Sequence, residues 1–176
     1  MGDPKKRRKK YETPRHPWDV DVLAEELRLL GLYGLRNKRE LWRAKTMLSK
    51  IRHIARSLLG MPQEKRVKIE AELMGKLYRL GLVDKEATVE DVLDLKVEDI
   101  LERRLQTMVA RLGLAKTVYQ ARHFITHGHI FVGDKKITSP GYLVLRGEES
   151  KITYSPDSPL ADENHPLRKA MVQQTS

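Results

Sequence analysis

Apolar residues recur every three or four positions in three stretches of the first half of the chain, and this period predicts amphipathic helices. The first predicted helix begins after Asp19 and ends at Gly31. The second runs from about Lys38 to Leu59, and the third follows Pro62. We expect the buried stripes to consist of Leu23, Leu27 and Leu30; of Leu41, Ala44, Leu48, Ile51, Ala55 and Leu58; and of Ile69, Leu73, Leu77 and Leu80.

The same period predicts two helices in the second half of the chain. One covers residues 97–112 and ends before Gly113. The other begins after Thr117, a suitable N-cap, and ends at Gly128. Their apolar stripes are Ile100, Leu101, Leu105, Met108 and Leu112 in the first, and Val118, Ala121 and Ile125 in the second.

Short β-strands are predicted to follow these helices. His129–Val132 forms a strand that turns at Gly133-Asp134, a dipeptide typical of hairpins. Tyr142–Leu145 and Lys151–Tyr154 are predicted as two further strands on either side of a turn at Gly147-Glu148. The two helices before the hairpin are expected to pack their apolar faces on it.

These elements predict an α+β protein, with a mostly helical body and a small inserted or appended module of an αα-hairpin plus β-strands. Pro4, Pro14 and Pro17 exclude a long helix near the start, and three prolines after Ser155 predict an extended end. The predicted organisation is an extended basic arm over residues 1–18, a helical body over 19–101 with an acidic segment at 84–102, a module over 102–155 and an extended tail over 156–176.

Composition narrows the class of partner. The 176 residues include 34 Lys and Arg against 24 Asp and Glu, which gives a net charge of +10. This excess favours a polyanionic partner, nucleic acid or an anionic membrane surface. No run approaches 18 apolar residues and no signal peptide is evident, so a membrane is disfavoured. The chain has no cysteine, which excludes disulfides and thiolate metal sites, and its aromatic content of 6% favours mostly electrostatic binding.

Basic residues flank the apolar stripe of the second predicted helix on both sides. Eight Lys and Arg and one acid lie between residues 35 and 59. A basic helix is often only a solvated face, but two rows that bracket a core stripe favour RNA. Trp42 is either a core residue or a stacking residue, and the core is favoured. The rows are Arg36, Arg39, Arg43 and Lys50 on one side, and Lys38, Lys45, Arg52 and Arg56 on the other.

Two further segments are strongly charged. The basic arm fits a solvated tail, a nuclear localisation signal or an arm that orders on RNA, and the basic body favours the last. Residues 84–102 carry eight acids against two lysines, and Thr88 and Asp91 give a capping-box pattern for a short helix. RNA would repel this acidic segment, so we expect it to face solvent or a basic neighbouring protein.

Basic and histidine side chains are expected to form one rim where the module's helices meet its hairpin. The guanidinium of Arg122 is expected to extend outward there. His123, His127 and His129 could instead bind zinc, or fill a structural role. Phosphate contact is favoured, because the nearest acid is Asp134 and Arg122 would repel a cation. The predicted RNA-binding residues of this region are Arg103, Arg104, Arg111, Lys116, Thr117, Gln120, Arg122, His123, His127, His129, Lys135 and Lys136.

Several motifs resemble the small RNA-binding module first described in ribosomal protein S4. The sequence departs from that module at Gln106, where bacterial members usually carry Asp, and at Gly133-Asp134, where an Asn-Gly turn is usual. The resemblance implies that the His-Gly-His segment lies beside RNA backbone. The motifs are Arg104-Leu105, Arg111-Leu112-Gly113-Leu114-Ala115, Gln120-Ala121-Arg122, His127-Gly128-His129-Ile130 and Pro140-Gly141-Tyr142.

The helical part also resembles the S4 family, in residues 33–40 and at Ala55-Arg56. Because cysteines are missing, the start is basic and the tail carries prolines, the resemblance is to the archaeal branch. It implies a structural constituent of the small subunit of the cytoplasmic ribosome, which binds small-subunit rRNA, nucleates assembly of the subunit body and contributes to translational accuracy. It also implies contact with small-subunit protein five, and neither a cofactor nor a homo-oligomer is expected.

Catalysis is not expected from this sequence. No GxSxG motif, glycine-rich phosphate loop or HExxH motif is present. Enzymes that carry an S4-type module keep catalysis in a separate large domain, for which the remaining basic helices offer no counterpart. The alternative from another class is a non-ribosomal RNA-binding factor, or the RNA-binding subunit of an RNA-modifying enzyme.

Overall fold

The structure is a computed structural model that describes residues 8–172. Helices dominate this part of the chain, and a small antiparallel sheet lies near its end, which confirms the α+β class. The helices are α1 (Val20–Leu32), α2 (Lys38–Leu59), α3 (Gln63–Arg79), α4 (Val89–Asp94), α5 (Val97–Glu102), α6 (Leu105–Arg111), α7 (Val118–Thr126) and α8 (Pro166–Val172); the strands are β1 (Ile130–Val132), β2 (Lys135–Lys136) and β3 (Ile152–Tyr154).

Helix α1 begins as predicted, because the Asp19 carboxylate accepts a hydrogen bond from the backbone N–H of Asp21. The prediction that it ends at Gly31 was wrong. The helix continues to Leu32, and the chain turns at Gly34, whose φ of +56° suits a residue without a side chain. Its predicted stripe was also wrong in part, because Leu27 is 61% exposed while Leu29 is buried.

Helices α2 and α3 form the helical body together with α1, α4 and α5. All six predicted core positions of α2 are buried, as are Leu73 and Leu77 on α3. Helices α4 and α5 pack on α2, and the predicted capping box of Thr88 and Asp91 is present at the start of α4. The body therefore has its own apolar core, which extends from Leu29 to Leu101.

The single helix predicted over residues 97–112 was wrong. Helix α5 ends at Glu102 and α6 begins at Leu105, so an apolar period continues across a break in the backbone. Tertiary hydrogen bonds make this break: Leu105 N–H donates to the Tyr142 carbonyl over 2.8 Å, and Val144 N–H donates to the Arg103 carbonyl over 2.9 Å. Residues 142–145 accordingly pair with this break, and the strand predicted there was also wrong, since only an isolated bridge between Arg104 and Leu143 forms.

The module consists of α6, α7 and a sheet of order β2-β1-β3. The predicted hairpin is present, and it pairs Phe131 with Lys136 across the turn at Gly133. Strand β3 pairs antiparallel with the other edge of β1, where Ile130 lies opposite Tyr154. A second apolar core, separate from that of the body, lies between the two helices and the sheet.

The two ends of the described chain differ in how well they match the prediction. Residues 8–18 contain no helix or strand, as expected for an extended arm, while residues 1–7 lie outside the described part. The extended tail predicted after residue 155 was wrong. A short 3₁₀ turn at Pro159–Ala161 buries Leu160 against the module core, and α8 follows. Proline is compatible with both because it stands at the first helical position, where its missing N–H is not needed.

Candidate nucleic-acid interface

Exposed basic side chains lie just before α2 and along it. Arg36, Arg39, Arg43, Lys50 and Arg56 are exposed, and together they define the body surface. Four of them are the first predicted row, and Arg56 comes from the second. Glu40 is the one acid between residues 35 and 59, and its carboxylate pairs with Arg104 and Arg122.

The rest of the second row is used within the fold. The ammonium groups of Lys38 and Lys45 lie 3.2 and 3.5 Å from the carboxylate of Glu26, which is buried in α1. Arg52 donates to the backbone carbonyl of Leu95 at the end of α4. These three basic side chains bind partners within the body. Their positions therefore do not support the prediction that they contact RNA.

Glu26 explains why Trp42 is not a free stacking surface. The indole N–H donates to the Glu26 carboxylate over 2.9 Å, and the ring of Tyr11 lies 5.9 Å from that of Trp42. Burial raises the pKa of Glu26, but the hydrogen bonds from Trp42 and Lys38 and the charge of Lys45 outweigh it and lower the pKa below its usual value. Glu26 therefore stays ionised and pairs with Lys38 and Lys45.

Glu40 connects the body to the module. Its carboxylate accepts hydrogen bonds from Arg104 at 2.6 Å and from Arg122 at 2.7 and 3.1 Å. Burial raises the pKa of Glu40. The hydrogen bond from Arg122 and the charge of Arg104 lower the pKa by more than burial raises it, so the net shift is downward. The expectation that the Arg122 guanidinium extends outward was wrong, because this acid on α2 draws it into the contact between the two units.

Gln106 is a second buried connector that the sequence analysis noted only as a departure from the family pattern. Its amide nitrogen donates to the carbonyls of Gly34 at 2.9 Å and Val118 at 3.1 Å, and its oxygen accepts from Arg122 at 3.2 Å. One buried side chain thus fixes the α1–α2 turn, the start of α7 and the guanidinium of Arg122 relative to one another.

Two other predicted bases are also paired. Arg103 contacts the carboxylate of Glu149 and donates to the carbonyl of Val144, and Arg111 pairs with Glu102 at the end of α5. Arg103 is mostly covered, whereas the side chain of Arg111 remains 59% exposed. Arg111 can therefore still approach a phosphate, while Arg103 serves the fold.

Exposed donors of the module define the module surface, which lies before α7, near the end of α7 and along the hairpin. Thr117 caps α7 by accepting from the Gln120 N–H, and the Gln120 side chain accepts from the Lys116 N–H, so both polar residues shape the loop. The hairpin contributes two exposed lysines on β2. The residues of the module surface are Lys116, His123, His127, Lys135 and Lys136.

The three histidines are brought together as the sequence predicted. The ring centroids of His123 and His127 are 4.2 Å apart, and those of His127 and His129 are 6.5 Å apart. Within residues 8–172, no group of His, Cys, Asp or Glu has the arrangement of a metal site. Burial, the neighbouring histidines and Lys136 lower the pKa of His129, whose Nδ1 lies 2.9 Å from the Ser158 hydroxyl. His129 thus has a structural contact, and the other two are exposed.

The acidic segment at residues 84–102 is partly used inside the molecule. Glu98 pairs with Arg28 of α1, and Asp84 pairs with Arg146, which also lies over the ring of Tyr78. Other acids, among them Glu86 and Glu90, are exposed. The expectation that the whole segment faces outward was therefore only partly right, because three of its carboxylates, including Glu102, tie together neighbouring elements.

Two packed units with exposed bases on each are typical of a nucleic-acid-binding protein, and comparisons with known proteins give its family. The profile "Ribosomal protein S4/S9 N-terminal domain" matches residues 5–102, and the profile "S4 domain" matches residues 103–150. The chain belongs to the ribosomal protein S4 family.

Similar proteins from archaea span nearly the same length. The chain is 57% identical over 159 residues to the small ribosomal subunit protein uS4 of Ignicoccus hospitalis. The matched region covers 90% of this chain and 96% of that protein. Proteins of the same name match from Sulfurisphaera tokodaii (54% identity, 94% of this chain and 93% of that protein) and Methanothermobacter thermautotrophicus (52%, 91% and 94%). No helix among residues 8–172 is long and apolar enough to cross a membrane.

Proposed function

We propose that this chain is a structural protein of the small ribosomal subunit that binds small-subunit rRNA through the body surface and the module surface. The proposal rests on the division of the basic side chains into those paired within the fold and those exposed on its surface. Those facing the fold are neutralised by Glu26, Glu40 and Glu149, whereas the exposed ones gather on two adjoining units. Exposed Lys and Arg beside RNA phosphates release counterions and supply most of the affinity.

The contact between the two units favours one RNA that bridges both surfaces. Glu40 and Gln106 hold the α1–α2 turn against α7, so the body surface and the module surface keep a fixed spacing. An RNA held on one surface is presented to the other at high effective concentration, and the affinity of the pair exceeds that of either surface alone. Such a rigid two-surface protein suits a folded RNA junction and an early, assembly-nucleating role in the subunit body.

The exposed acids at residues 84–102 support a second contact, with a basic protein of the same subunit. Small-subunit protein five is the partner proposed here, and a share in translational accuracy is proposed through that contact. RNA phosphates would be repelled by Glu86 and Glu90, whereas a basic protein would be attracted. The chain is proposed to act as a single copy without a catalytic role, on the ribosome in the cytoplasm.

Co-sedimentation tests this proposal against the alternative of a non-ribosomal RNA-binding factor or a subunit of an RNA-modifying enzyme. The native protein is followed through a sucrose gradient of cell extract at high salt. We expect it to travel with the small subunit at about one copy per particle, because bridging contacts resist salt better than isolated ones. Recovery only at the top of the gradient or with another complex would contradict the proposal.

A further inference from the structure

A hollow of about 330 Å³ lies between the α1–α2 turn and α7, and it contains an exposed aromatic ring. Its lining residues are Gly34, Arg36, Tyr119, Arg122, His123 and Thr126. Tyr119 is 61% exposed although it stands in the first turn of a packed helix. The hollow has the size of a small ligand site, and its lining is basic around one ring.

Tyr119 differs from the other tyrosines of the chain, all of which lie in the described part. Each of the other five contacts a neighbour within the fold. Tyr33 donates to Glu102, Tyr142 to Glu148 and Tyr154 to the carbonyl of Leu114, while the ring of Tyr78 lies under Arg146 and that of Tyr11 lies beside Trp42. Tyr119 instead presents a largely exposed ring on the surface of α7, where it is available for stacking.

The floor of the hollow is rigid. A Cβ added to Gly34 would lie 2.9 Å from the Gln106 amide nitrogen and 3.1 Å from Val118, so the turn approaches α7 as closely as its backbone allows. Gln106 bonds to the carbonyls of both elements and holds Arg122 as well. The floor of the hollow therefore keeps its shape before any ligand binds, which lowers the entropic cost of binding.

The charges around Tyr119 differ in availability. The Arg122 guanidinium is occupied by Glu40, whereas Arg36 in the α1–α2 turn and His123 on α7 are exposed. A flat ring flanked by an exposed guanidinium and an exposed imidazole matches an unpaired nucleotide, whose base can stack while its phosphate is held. A base inside a duplex cannot reach such a ring, because both of its faces are already stacked.

We propose that this hollow takes one unpaired nucleotide of the rRNA, with the base stacked on Tyr119 and the adjoining phosphate against Arg36 and His123. The inference rests on the proposed rRNA binding. It adds a contact that distinguishes an unpaired nucleotide from a base-paired one. The salt-dependent surfaces attract RNA of any sequence, and the Tyr119 hollow favours RNA with a bulged or looped base at the matching position.

The test compares Tyr119→Ala and Tyr119→Phe with the unchanged protein on two probes: an archaeal small-subunit rRNA transcript and a fully paired RNA duplex of about 20 base pairs. Tyr119→Ala should bind the transcript roughly 5- to 100-fold more weakly, with the same salt slope, because it loses stacking and no charge. Tyr119→Phe should bind as the unchanged protein does, since the ring remains. On the duplex all three should bind alike.

Val67→Ala is the matched control. Val67 is 62% exposed on α3, outside the body surface and the module surface, so its truncation should leave both affinities unchanged. If Tyr119→Ala binds the transcript within twofold of the unchanged protein, or weakens the duplex equally, the inference is overturned while rRNA binding stands. If the unchanged protein binds the transcript no better than the duplex and with a flat salt response, the proposed function itself is overturned.

Discussion

Glu40 is the residue at which the body and the module are joined by charge. It accepts hydrogen bonds from Arg104 and Arg122, which lie 64 and 82 positions later in the chain. Arg104 is 7% exposed, so the carboxylate is the partner that allows this cation to be buried. Removal of one member of a buried ion pair costs much more than the pair contributes, because an uncompensated charge remains.

The first prediction is that Glu40→Gln lowers the free energy of unfolding by about 3 kcal/mol at pH 7, since two arginines lose their counter-charge. Urea denaturation measures the change. Glu70→Gln is the control, because Glu70 pairs with Arg66 on the surface of α3 and its loss should cost less than about 1 kcal/mol. Equal effects of the two substitutions would contradict the role given to Glu40.

The second prediction concerns pH. The pKa of Glu40 is lower in the folded protein than its ordinary value, so the folded state favours the ionised form. This stabilisation is complete above the unfolded pKa of about 4.3 and is lost as the pH falls through the lower, folded pKa. The difference in free energy of unfolding between the unchanged protein and Glu40→Gln should therefore narrow from pH 6 to pH 3. A difference that grows on acidification would contradict the assignment.

At the residue scale, the sequence predicted which bases are present but not where each side chain points. Arg122 has its helical position as expected, yet its direction depends on an acid on another helix. Glu26 and Glu40 are polar residues that periodicity places outside the apolar stripes. Only the packed fold shows that Glu26 is buried and that Glu40 is partly buried against Arg104 and Arg122. Tyr119 carried no sequence signal beyond an exposed position on α7.

The end of α1 provides the third prediction, with two neighbouring glycines. Gly34→Ala should lower the free energy of unfolding by more than about 1 kcal/mol, because φ is +56° and the new Cβ would crowd Gln106. Gly31→Ala should raise it by about 0.5–1 kcal/mol, because Gly31 lies within the helix with nothing within 4 Å of a Cβ. Thermal or urea unfolding distinguishes them. A destabilising Gly31→Ala would support the helix end at Gly31 that the sequence predicted.

Predictability at the element scale depended on where the hydrogen bonds of each element lie. Helix α2 satisfies its own backbone, and its bounds agree with the predicted span of about Lys38 to Leu59. Its N-cap, Asn37, was not predicted. The break between α5 and α6 is made by hydrogen bonds to Tyr142 and Val144, about forty residues away, so local periodicity could not place it. The 142–145 segment failed as a strand for the same reason, because its partner is this break and not its sequence neighbour.

The fourth prediction compares an exposed base of the body surface with an exposed base outside that surface. Arg56→Ala should weaken binding to small-subunit rRNA and reduce the slope of log affinity against log salt by roughly one, because one phosphate contact is lost. Lys68→Ala, a change of equal charge on the exposed side of α3, should leave the slope unchanged. Filter binding at several salt concentrations gives both slopes. Equal slopes for the two variants would exclude Arg56 from the interface.

At the scale of the whole molecule, the basic residues that give the net charge of +10 fall into two groups, those paired within the fold and those exposed on its surface. Internal pairs centred on Glu26 and Glu40 join helices and units, and the exposed bases remain on the body surface and the module surface. Composition alone predicted the polyanionic partner, and the motifs predicted the family that the two profiles confirm. How the charge is divided could be learned only from the packed structure.

The salt dependence of rRNA binding tests the central claim most directly, and it is the fifth prediction. The affinity of the unchanged protein for an archaeal small-subunit rRNA transcript is measured between 50 and 200 mM salt. With six or more phosphates neutralised across the two surfaces, affinity should fall on the order of a thousandfold over this range. A nearly flat response would contradict an interface built from the exposed bases of α2 and the module.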